Sequence, residues 1–332
     1  MLLYRNILSQ ASRVTWRHKY LWFFGLFAAL LGNGGEYEIL IRSLSGDIGQ
    51  GFFPSFRNIA STGIFSRNIL TNIGQIIKND PFSLVMLLIV GLIILFLVGF
   101  LVWMMIISQA ALVNNSAAII TGKKSPVPRI KEGVLAGIKN FWPVFGLNII
   151  IKIIIYLAFI LVGLPIIFSM VQTGRPIASF LYLILFLIFI PLAIALSFMI
   201  KYSIAYVVIK GSNFFQAISQ GWSLFKRNWL VSIEMAFILF FINFLVGLGI
   251  ILAVLILTIP FLFLALLFYN LFSLAGFWLI AFISLIILLF IIIVSGAALA
   301  TFQISAWTGL FIELVSQGGI SKIMRVVNSL RK

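Results

Sequence analysis

The longest stretch without an ionisable side chain runs from Met235 to Ile312, 78 residues without Asp, Glu, Lys, Arg or His. As a single α-helix it would be roughly 115 Å long, whereas the hydrocarbon core of a bilayer is about 30 Å thick. The stretch therefore predicts a membrane protein in which the chain folds back across the bilayer at least once between these two residues.

The composition of the whole chain agrees with a membrane protein and excludes a water-soluble fold. Hydrophobic residues make up 63% of the sequence and charged residues 9%, whereas soluble domains hold about 45–50% and about 25%. Backbone groups in lipid must be paired within a helix or in a closed barrel, and the apolar runs lack the two-residue alternation of barrel strands. We therefore expect an all-α polytopic protein and one integral membrane domain over residues 1–332.

Six apolar runs have the composition of membrane spans. The first has only 13 residues, so as a helix of about 20 Å it must borrow its flanks or thin the bilayer. We interpret it as an uncleaved first anchor, since basic residues interrupt the segment before it. The runs cover Tyr20–Gly32, Phe82–Ile107, Trp142–Phe168, Ile177–Ile200, Trp229–Thr258 and Phe277 to about Leu299.

The basic residues predict the orientation of these spans. Of the 23 lysines and arginines, 17 fall in the N-terminal arm, the second and fourth connections and the C-terminal tail. The positive-inside rule places these parts, and so both termini, on the cytoplasmic side of a bacterial-type cell membrane. Residues 33–81 then form an extracytoplasmic loop. The net charge of +16 is explained by orientation and anionic lipid, so we expect no nucleic-acid partner.

The sequence leaves two interpretations of the place where the long uncharged stretch turns. Residues 261–269, which follow Pro260, are interpreted as a hydrophobic outer connection or a re-entrant piece. The alternative is an additional pair of crossings, which would leave the orientation unchanged.

A local pattern occurs at the cytoplasmic start of three spans and predicts an internal repeat. Each copy has a Lys three residues before a Trp, and a basic amphipathic segment precedes it. The approximate repeats cover residues 1–115, 116–210 and 211–332. Trp and Lys at these places are typical of anchoring at the membrane interface, and the alternative is a specific contact with a lipid or a partner. The pairs are Lys19 with Trp22, Lys139 with Trp142, and Lys226 with Trp229.

The amphipathic segments have helical spacing of their apolar residues. We expect them to lie in the headgroup plane with the apolar face toward lipid and the basic residues toward anionic headgroups, which makes membrane lipids the expected partners. A fourth copy over residues 320–330 closes the chain. The predicted apolar faces are Leu3, Ile7, Ala11 and Val14; Ile130, Val134, Ile138 and Phe141; and Phe214, Ile218, Trp222 and Phe225.

Two ionisable residues lie inside predicted spans, where a charge is costly and often functional. Lys152 follows Trp142 by ten residues, and Glu234 follows Trp229 by five. Because the Lys152 side chain leans toward the cytoplasmic end of its helix, we predict an ion pair between them, supported by Asn148. The pair is an architectural clasp or a cation or proton site; independent snorkelling of the two side chains is the alternative.

Four further polar residues at membrane depth, Asn243, Gln303, Ser295 and Thr301, predict hydrogen bonds between helices. The sequence holds no cysteine and no carboxylate pair, metal-ligand cluster, phosphate-binding Gly loop or nucleophile motif. The single histidine, His18, lies in a basic arm. We therefore expect no enzyme, no catalytic residue, no cofactor and no metal.

Two segments carry a resemblance to a known family. One runs from Lys201 through YSIAYVVIKGSNFFQAISQGWSLFKRNWLVSIEM, and the other is TWRHKYLWFFGLFAALLG near the N-terminus. The first resembles, over about 40 residues, the membrane domain that precedes some bacterial glycerophosphodiester phosphodiesterases. Because no catalytic domain adjoins it here, the resemblance implies a membrane module and not the phosphodiesterase activity.

These observations favour a non-enzymatic multi-pass membrane protein that acts as a lipid-contacting scaffold or as an accessory subunit of a membrane complex. The alternative is a transporter or channel for a small solute or ion that uses Lys152 and Glu234. A continuous polar cavity that reaches Lys152 would favour the alternative.

Overall fold

A computed structural model describes residues 2–31, 81–122, 129–171 and 176–316. The predicted outer loop over residues 33–81 and the predicted fourth amphipathic segment over residues 320–330 lie outside the described residues, apart from Pro81. Every element in the described part is helical. In chain order these are α1 (Leu2–Arg17), α2 (Leu21–Ala29), α3 (Pro81–Ile120), α4 (Arg129–Lys139), α5 (Phe141–Val171), α6 (Pro176–Ala205), a π-helix (Tyr206–Lys210), α7 (Phe214–Arg227) and α8 (Trp229–Ser316).

The chain forms two compact units. One comprises Met1–Asn33 and Met105–Lys332, and the other comprises Gly34–Met104. The second unit contributes to the described residues the first part of α3, where each side chain from Leu88 to Phe100 is exposed. A helix that exposes apolar side chains on all its faces requires an apolar solvent, which is what lipid provides.

The apolar helices are those of a membrane-embedded protein. Three described helical segments are long and apolar enough to cross a bilayer, namely Leu88–Ile120, Pro191–Lys210 and Trp229–Ser316. A fourth candidate is the pair Ile130–Lys139 and Phe141–Ile154, whose axes meet at 65°. The fold class is thus confirmed as all-helical with several apolar spans.

Helix α8 is a hairpin of two helical arms, residues 229–272 and 274–316. Between them Ser273 has φ 59° and ψ −154°, which is not helical. Gln303 Nε2 donates a 2.6 Å hydrogen bond to Asn243 Oδ1 across the hairpin, although 60 residues of straight helix would separate these side chains by about 90 Å. The predicted reversal of the uncharged stretch is therefore confirmed.

The reversal lies between the two predicted spans, but its form differs from the prediction. Residues 261–269 form neither a connection nor a re-entrant piece, because the helix continues through Pro260 to Phe272 and turns at one residue. A proline is tolerated in an apolar helix when neighbouring groups take up the freed carbonyl. The sharp turn uses Gly276, where a β-carbon would lie 2.5 Å from the Phe268 carbonyl oxygen.

Close packing of small residues holds the larger unit together. Helix α2 lies against the second arm of α8, and a β-carbon on Gly25 would be 2.2 Å from the carbonyl oxygen of Ala297. In lipid no hydrophobic effect drives apolar side chains together. Helices in membranes therefore associate through close backbone approach and hydrogen bonds. Small residues at these contacts permit that approach.

The amphipathic helices α4 and α7 also bury glycine and alanine against the protein and leave several of their large apolar residues exposed. Gly133 and Gly137 face α3, where β-carbons would meet Asn115 and Ile107, while Ile130 and Ile138 of the predicted apolar face are exposed. In α7 the buried residues are Ala217, Gly221 and Leu224, one position from the predicted face. Trp222 is exposed and the other predicted residues, Phe214, Ile218 and Phe225, are half-buried.

The prediction for the first amphipathic helix needs a correction. Ile7, Ala11 and Val14 of α1 are buried, and α1 packs on α8. The predicted apolar face was therefore correct in its residues but wrong in its contact, because protein covers it where lipid was expected.

Candidate functional site

The three residues of the predicted intramembrane site lie in different surroundings. Asn148 is buried and donates a 2.8 Å hydrogen bond to Gln109 Oε1 of α3. Glu234, at the start of α8, accepts a hydrogen bond from the Tyr4 hydroxyl of α1. Lys152 has an exposed side chain on α5. None of these contacts joins the two charged groups, so the ion pair remains a prediction.

A polar cluster in the core of the larger unit centres on Lys201 of α6. Its ammonium lies 4.5 Å from the ring centre of Trp307 and 5.8 Å from that of Phe198. Aromatic faces attract a cation, and the attraction grows when water is excluded. Lys201 directly follows the predicted fourth span, which ends at Ile200, and was therefore expected in a cytoplasmic connection. In the structure it is a half-buried residue of α6.

A small cavity of about 40 Å³ adjoins this lysine, and its lining includes Gln109, Gln303 and Thr308. A water molecule needs about 10–15 Å³ on this measure, so the cavity has room for water but not for an organic solute. Lys152 and Glu234 do not line it.

The predicted hydrogen bonds between helices are largely confirmed. Gln303 bonds to Asn243 as described, and Thr301 Oγ1 donates to the Leu21 carbonyl oxygen of α2 at 3.3 Å. The described contacts give Ser295 no such bond. These polar residues pair with each other or with backbone, as expected where water is absent.

Sequence reasoning missed two buried side-chain hydrogen bonds. Tyr202 is fully buried and its hydroxyl lies 2.7 Å from Ser232 Oγ, and Ser116 Oγ lies 2.9 Å from Ser305 Oγ. Serine and tyrosine are common in apolar helices, so their presence gives no signal of pairing. The partners come from elements distant in sequence, which a single sequence cannot bring together.

The predicted interfacial anchors lie at breaks between helices. Helix α1 ends at Arg17 and α2 begins at Leu21, α4 ends at Lys139 and α5 begins at Phe141, and α7 ends at Arg227 and α8 begins at Trp229. All three motif lysines, Lys19, Lys139 and Lys226, have exposed side chains, as do Trp142 and Trp229; Trp22 is half-buried.

Asparagine closes two of these three breaks in the same way. Asn140 Nδ2 donates to the Ala136 carbonyl oxygen at 2.9 Å, and Asn228 Nδ2 donates to the Leu224 carbonyl oxygen at 3.1 Å. Each of these carbonyl oxygens also accepts the backbone N–H of the same asparagine at 3.1 Å, so the side chain adds a second donor at the end of the helix. At the first break Trp22 Nε1 donates instead to the Thr15 carbonyl oxygen at 2.9 Å.

Among the described residues, no group of three or more His, Asp or Glu side chains is close enough to hold a metal ion. Comparison of the chain with protein-family models, with curated proteins and with solved structures found no match. The resemblance to the membrane domain of glycerophosphodiester phosphodiesterases therefore stays a prediction from sequence.

Proposed function

We propose that the chain is a six-span protein of a bacterial-type cytoplasmic membrane and acts as a lipid-contacting scaffold or an accessory subunit of a membrane complex. In this proposal both termini are cytoplasmic, and three degenerate repeats each place a basic amphipathic helix at the cytoplasmic surface. The partners are anionic lipid headgroups and, for an accessory subunit, a second membrane protein.

The observation that carries the proposal is the division of residues on α4 and α7. Their glycines and alanine contact the protein, while large apolar residues such as Ile138 and Trp222 are exposed beside Lys139 and Lys226. Such a helix presents apolar side chains and cations together, which suits the boundary between acyl chains and headgroups. Each basic residue near an anionic surface contributes about 1 kcal/mol, or about a fivefold enrichment of anionic lipid.

Quenching of tryptophan fluorescence by brominated lipids tests the lipid contact. The protein is reconstituted in bilayers that contain equal fractions of phosphatidylglycerol and phosphatidylcholine, with one of the two lipids brominated. Because exposed Trp142 and Trp229 adjoin Lys139 and Lys226, we expect stronger quenching by the brominated anionic lipid.

A double variant with Lys139→Gln and Lys226→Gln should lose this excess quenching. The matched control is Lys152→Gln, which removes one exposed charge away from the helix breaks and should keep it. Equal quenching of the unmodified protein by the two lipids would contradict the proposal.

The orientation has a separate test, since the chain has no cysteine of its own. A single cysteine at Ser61 should react with a membrane-impermeant maleimide added outside cells, and one at Ser125 should react only after the membrane is opened. Labelling of Ser125 from outside would reverse the proposed orientation.

A second candidate function is transport of a small solute or ion with the use of Lys152 and Glu234. The cavity beside Lys201 favours it, because it has room for water and is lined by polar side chains, Gln109, Gln303 and Lys201, as ion paths commonly are. The measurement is ion or proton flux into liposomes. Flux that Glu234→Gln and Lys152→Met both abolish would support transport over a scaffold.

A further inference from the structure

A polar groove lies between the π-helix and the exposed edge of α7. It has a volume of about 310 Å³ and is lined by Tyr206, Ser219, Gln220, Ser223, Leu224 and Arg227. The residues from α7 recur at spacings of three and four, which places them on one side of that helix. The groove thus runs along the exposed side of α7, and the buried Leu224 lies at its edge.

The walls of the groove are fixed by close packing. Gly221 on the opposite side of α7 lies against α6, where a β-carbon would be 2.8 Å from the Met199 carbonyl oxygen and 2.3 Å from Ser203 Oγ. Gly211, with φ 69°, ends the π-helix in the left-handed region that favours glycine. The close contact at Gly221 and the backbone turn at Gly211 hold Tyr206 and α7 at a set separation.

The chemistry of the lining is that of an anion site. It offers one guanidinium, three hydroxyls and one carboxamide, and none of the described residues that line it is a carboxylate. Ser212 Oγ donates to Gln220 Oε1 at 2.8 Å, so the amide NH₂ of Gln220 is left to donate elsewhere. Donors from several side chains that surround a guanidinium suit the oxygens of a phosphate group.

We propose that this groove binds a phosphate group, with the Arg227 guanidinium as its main contact and the Tyr206, Ser219 and Ser223 hydroxyls as further donors. The inference rests on the proposed function, because it identifies one specific site among the contacts with anionic lipid. Trp229 and Lys226 adjoin Arg227 in sequence and mark the headgroup level, and Leu224 gives the groove one apolar wall. These features favour the phosphodiester of an anionic phospholipid over a soluble phosphate.

The test compares two exposed arginines, Arg227 of α7 and Arg13 of α1. The full chain is reconstituted in nanodiscs, and retention of phosphatidylglycerol against phosphatidylcholine is measured by native mass spectrometry at 0.5 M salt. At this salt concentration diffuse attraction is screened beyond about 4 Å, while direct contacts persist. Arg227→Gln should weaken retention about tenfold or more, since hydrogen bonds to charged groups contribute about 1.5–3 kcal/mol. Arg13→Gln makes the same change in charge outside the groove and should leave retention unchanged.

A second variant keeps all charges. Ser219→Ala with Ser223→Ala removes two donors from exposed positions of α7 and should weaken retention about threefold to tenfold. Inorganic phosphate is added to nanodiscs of phosphatidylcholine alone as a separate arm. Binding of phosphate there that depends on Arg227 would support the site and assign it to a soluble phosphate.

Two failures can be distinguished. If Arg227→Gln and Arg13→Gln have equal effects, or if the unmodified protein retains neither lipid nor phosphate at 0.5 M salt, the groove is not a phosphate site and diffuse lipid contact stands. If the unmodified protein shows no preference for phosphatidylglycerol even at low salt, the proposed function fails with it.

Discussion

Replacing Gly25 by alanine tests whether α2 is held on the hairpin by direct backbone contact. A β-carbon on Gly25 would lie 2.2 Å from the Ala297 carbonyl oxygen and 2.3 Å from Thr301 Oγ1. Carbon and oxygen atoms in contact are usually about 3.3–3.6 Å apart, so the helices would have to separate by roughly 1 Å. That separation would also break the bond from Thr301 to the Leu21 carbonyl oxygen, which is already 3.3 Å long.

The contributions of Gly25→Ala to the free energy of unfolding have opposite signs. Overpacking costs about 1–3 kcal/mol, and loss of a hydrogen bond between membrane helices costs about 0.6 kcal/mol. Alanine returns up to about 1 kcal/mol through its higher helix propensity. We therefore expect Gly25→Ala to lower the free energy of unfolding by about 1–2 kcal/mol.

Reversible unfolding in mixed micelles measures this difference. The matched control is Gly247→Ala in α8, where a β-carbon would have no atom within 4 Å. The control should be neutral or stabilising by up to about 1 kcal/mol, since only the helix propensity changes. If Gly25→Ala unfolds like the control, close backbone contact does not hold α2 in place.

The same assay checks two further predictions. Ser273 has backbone angles that are almost confined to glycine, at a cost of about 1–3 kcal/mol. Ser273→Gly should therefore stabilise the hairpin by about 1 kcal/mol, while Gly276→Ala should destabilise it. Unchanged stability of both variants would argue against a turn at this place. A double-mutant cycle with Gln109→Leu and Asn148→Leu should give a coupling of about 0.6–1.7 kcal/mol for their hydrogen bond, and strictly additive effects would show that the bond contributes nothing.

Composition and charge were sufficient to predict the class of the fold. Lipid as a solvent permits few backbone structures, so helices and a reversal within the uncharged stretch followed directly. The exact turn did not, because the local fall in hydropathy at Tyr269, Asn270 and Ser273 does not indicate which residue reverses the chain. The turn depends on close approach between Gly276 and Phe268, which is a property of the folded backbone.

The sequence pattern did not identify the faces of α4 and α7 that pack on the protein. The large apolar residues were expected to face lipid, and Ile138 and Trp222 are exposed, but no expectation was drawn for the small residues. In lipid, Ile138 gains nothing by leaving the solvent, whereas Gly137 permits close contact with α3. A search for small residues four apart would have found Gly133 with Gly137 and Ala217 with Gly221.

For the candidate sites, the residue type predicted that a side chain would form a hydrogen bond, but the sequence did not predict its partner. Intramembrane polar residues such as Gln303 and Asn243 were correctly expected to pair. Asn148 was expected to support Lys152 one turn away but bonds to Gln109 on another helix. The groove beside Arg227 gave no sequence signal, since it depends on where the π-helix ends relative to α7.

The length of the first arm of the hairpin offers a way to distinguish a scaffold that acts alone from an accessory subunit. The first arm is charge-free and mostly exposed from Phe240 to Phe272, which is about 50 Å of helix. A tilt of 40°, at the upper end of the usual range, lengthens the path through the hydrocarbon core to only about 39 Å. Roughly 10 Å of apolar helix thus needs cover beyond the hydrocarbon core.

An accessory subunit would gain that cover from a partner protein, and a scaffold acting alone would rely on headgroups and locally thickened lipid. A photoreactive amino acid in place of Phe272 should therefore crosslink to protein in native membranes if the chain is an accessory subunit. The same amino acid in place of Phe244, which is exposed in the middle of the arm, should crosslink to lipid in both cases. Lipid adducts alone at both positions would eliminate the accessory subunit and leave the scaffold.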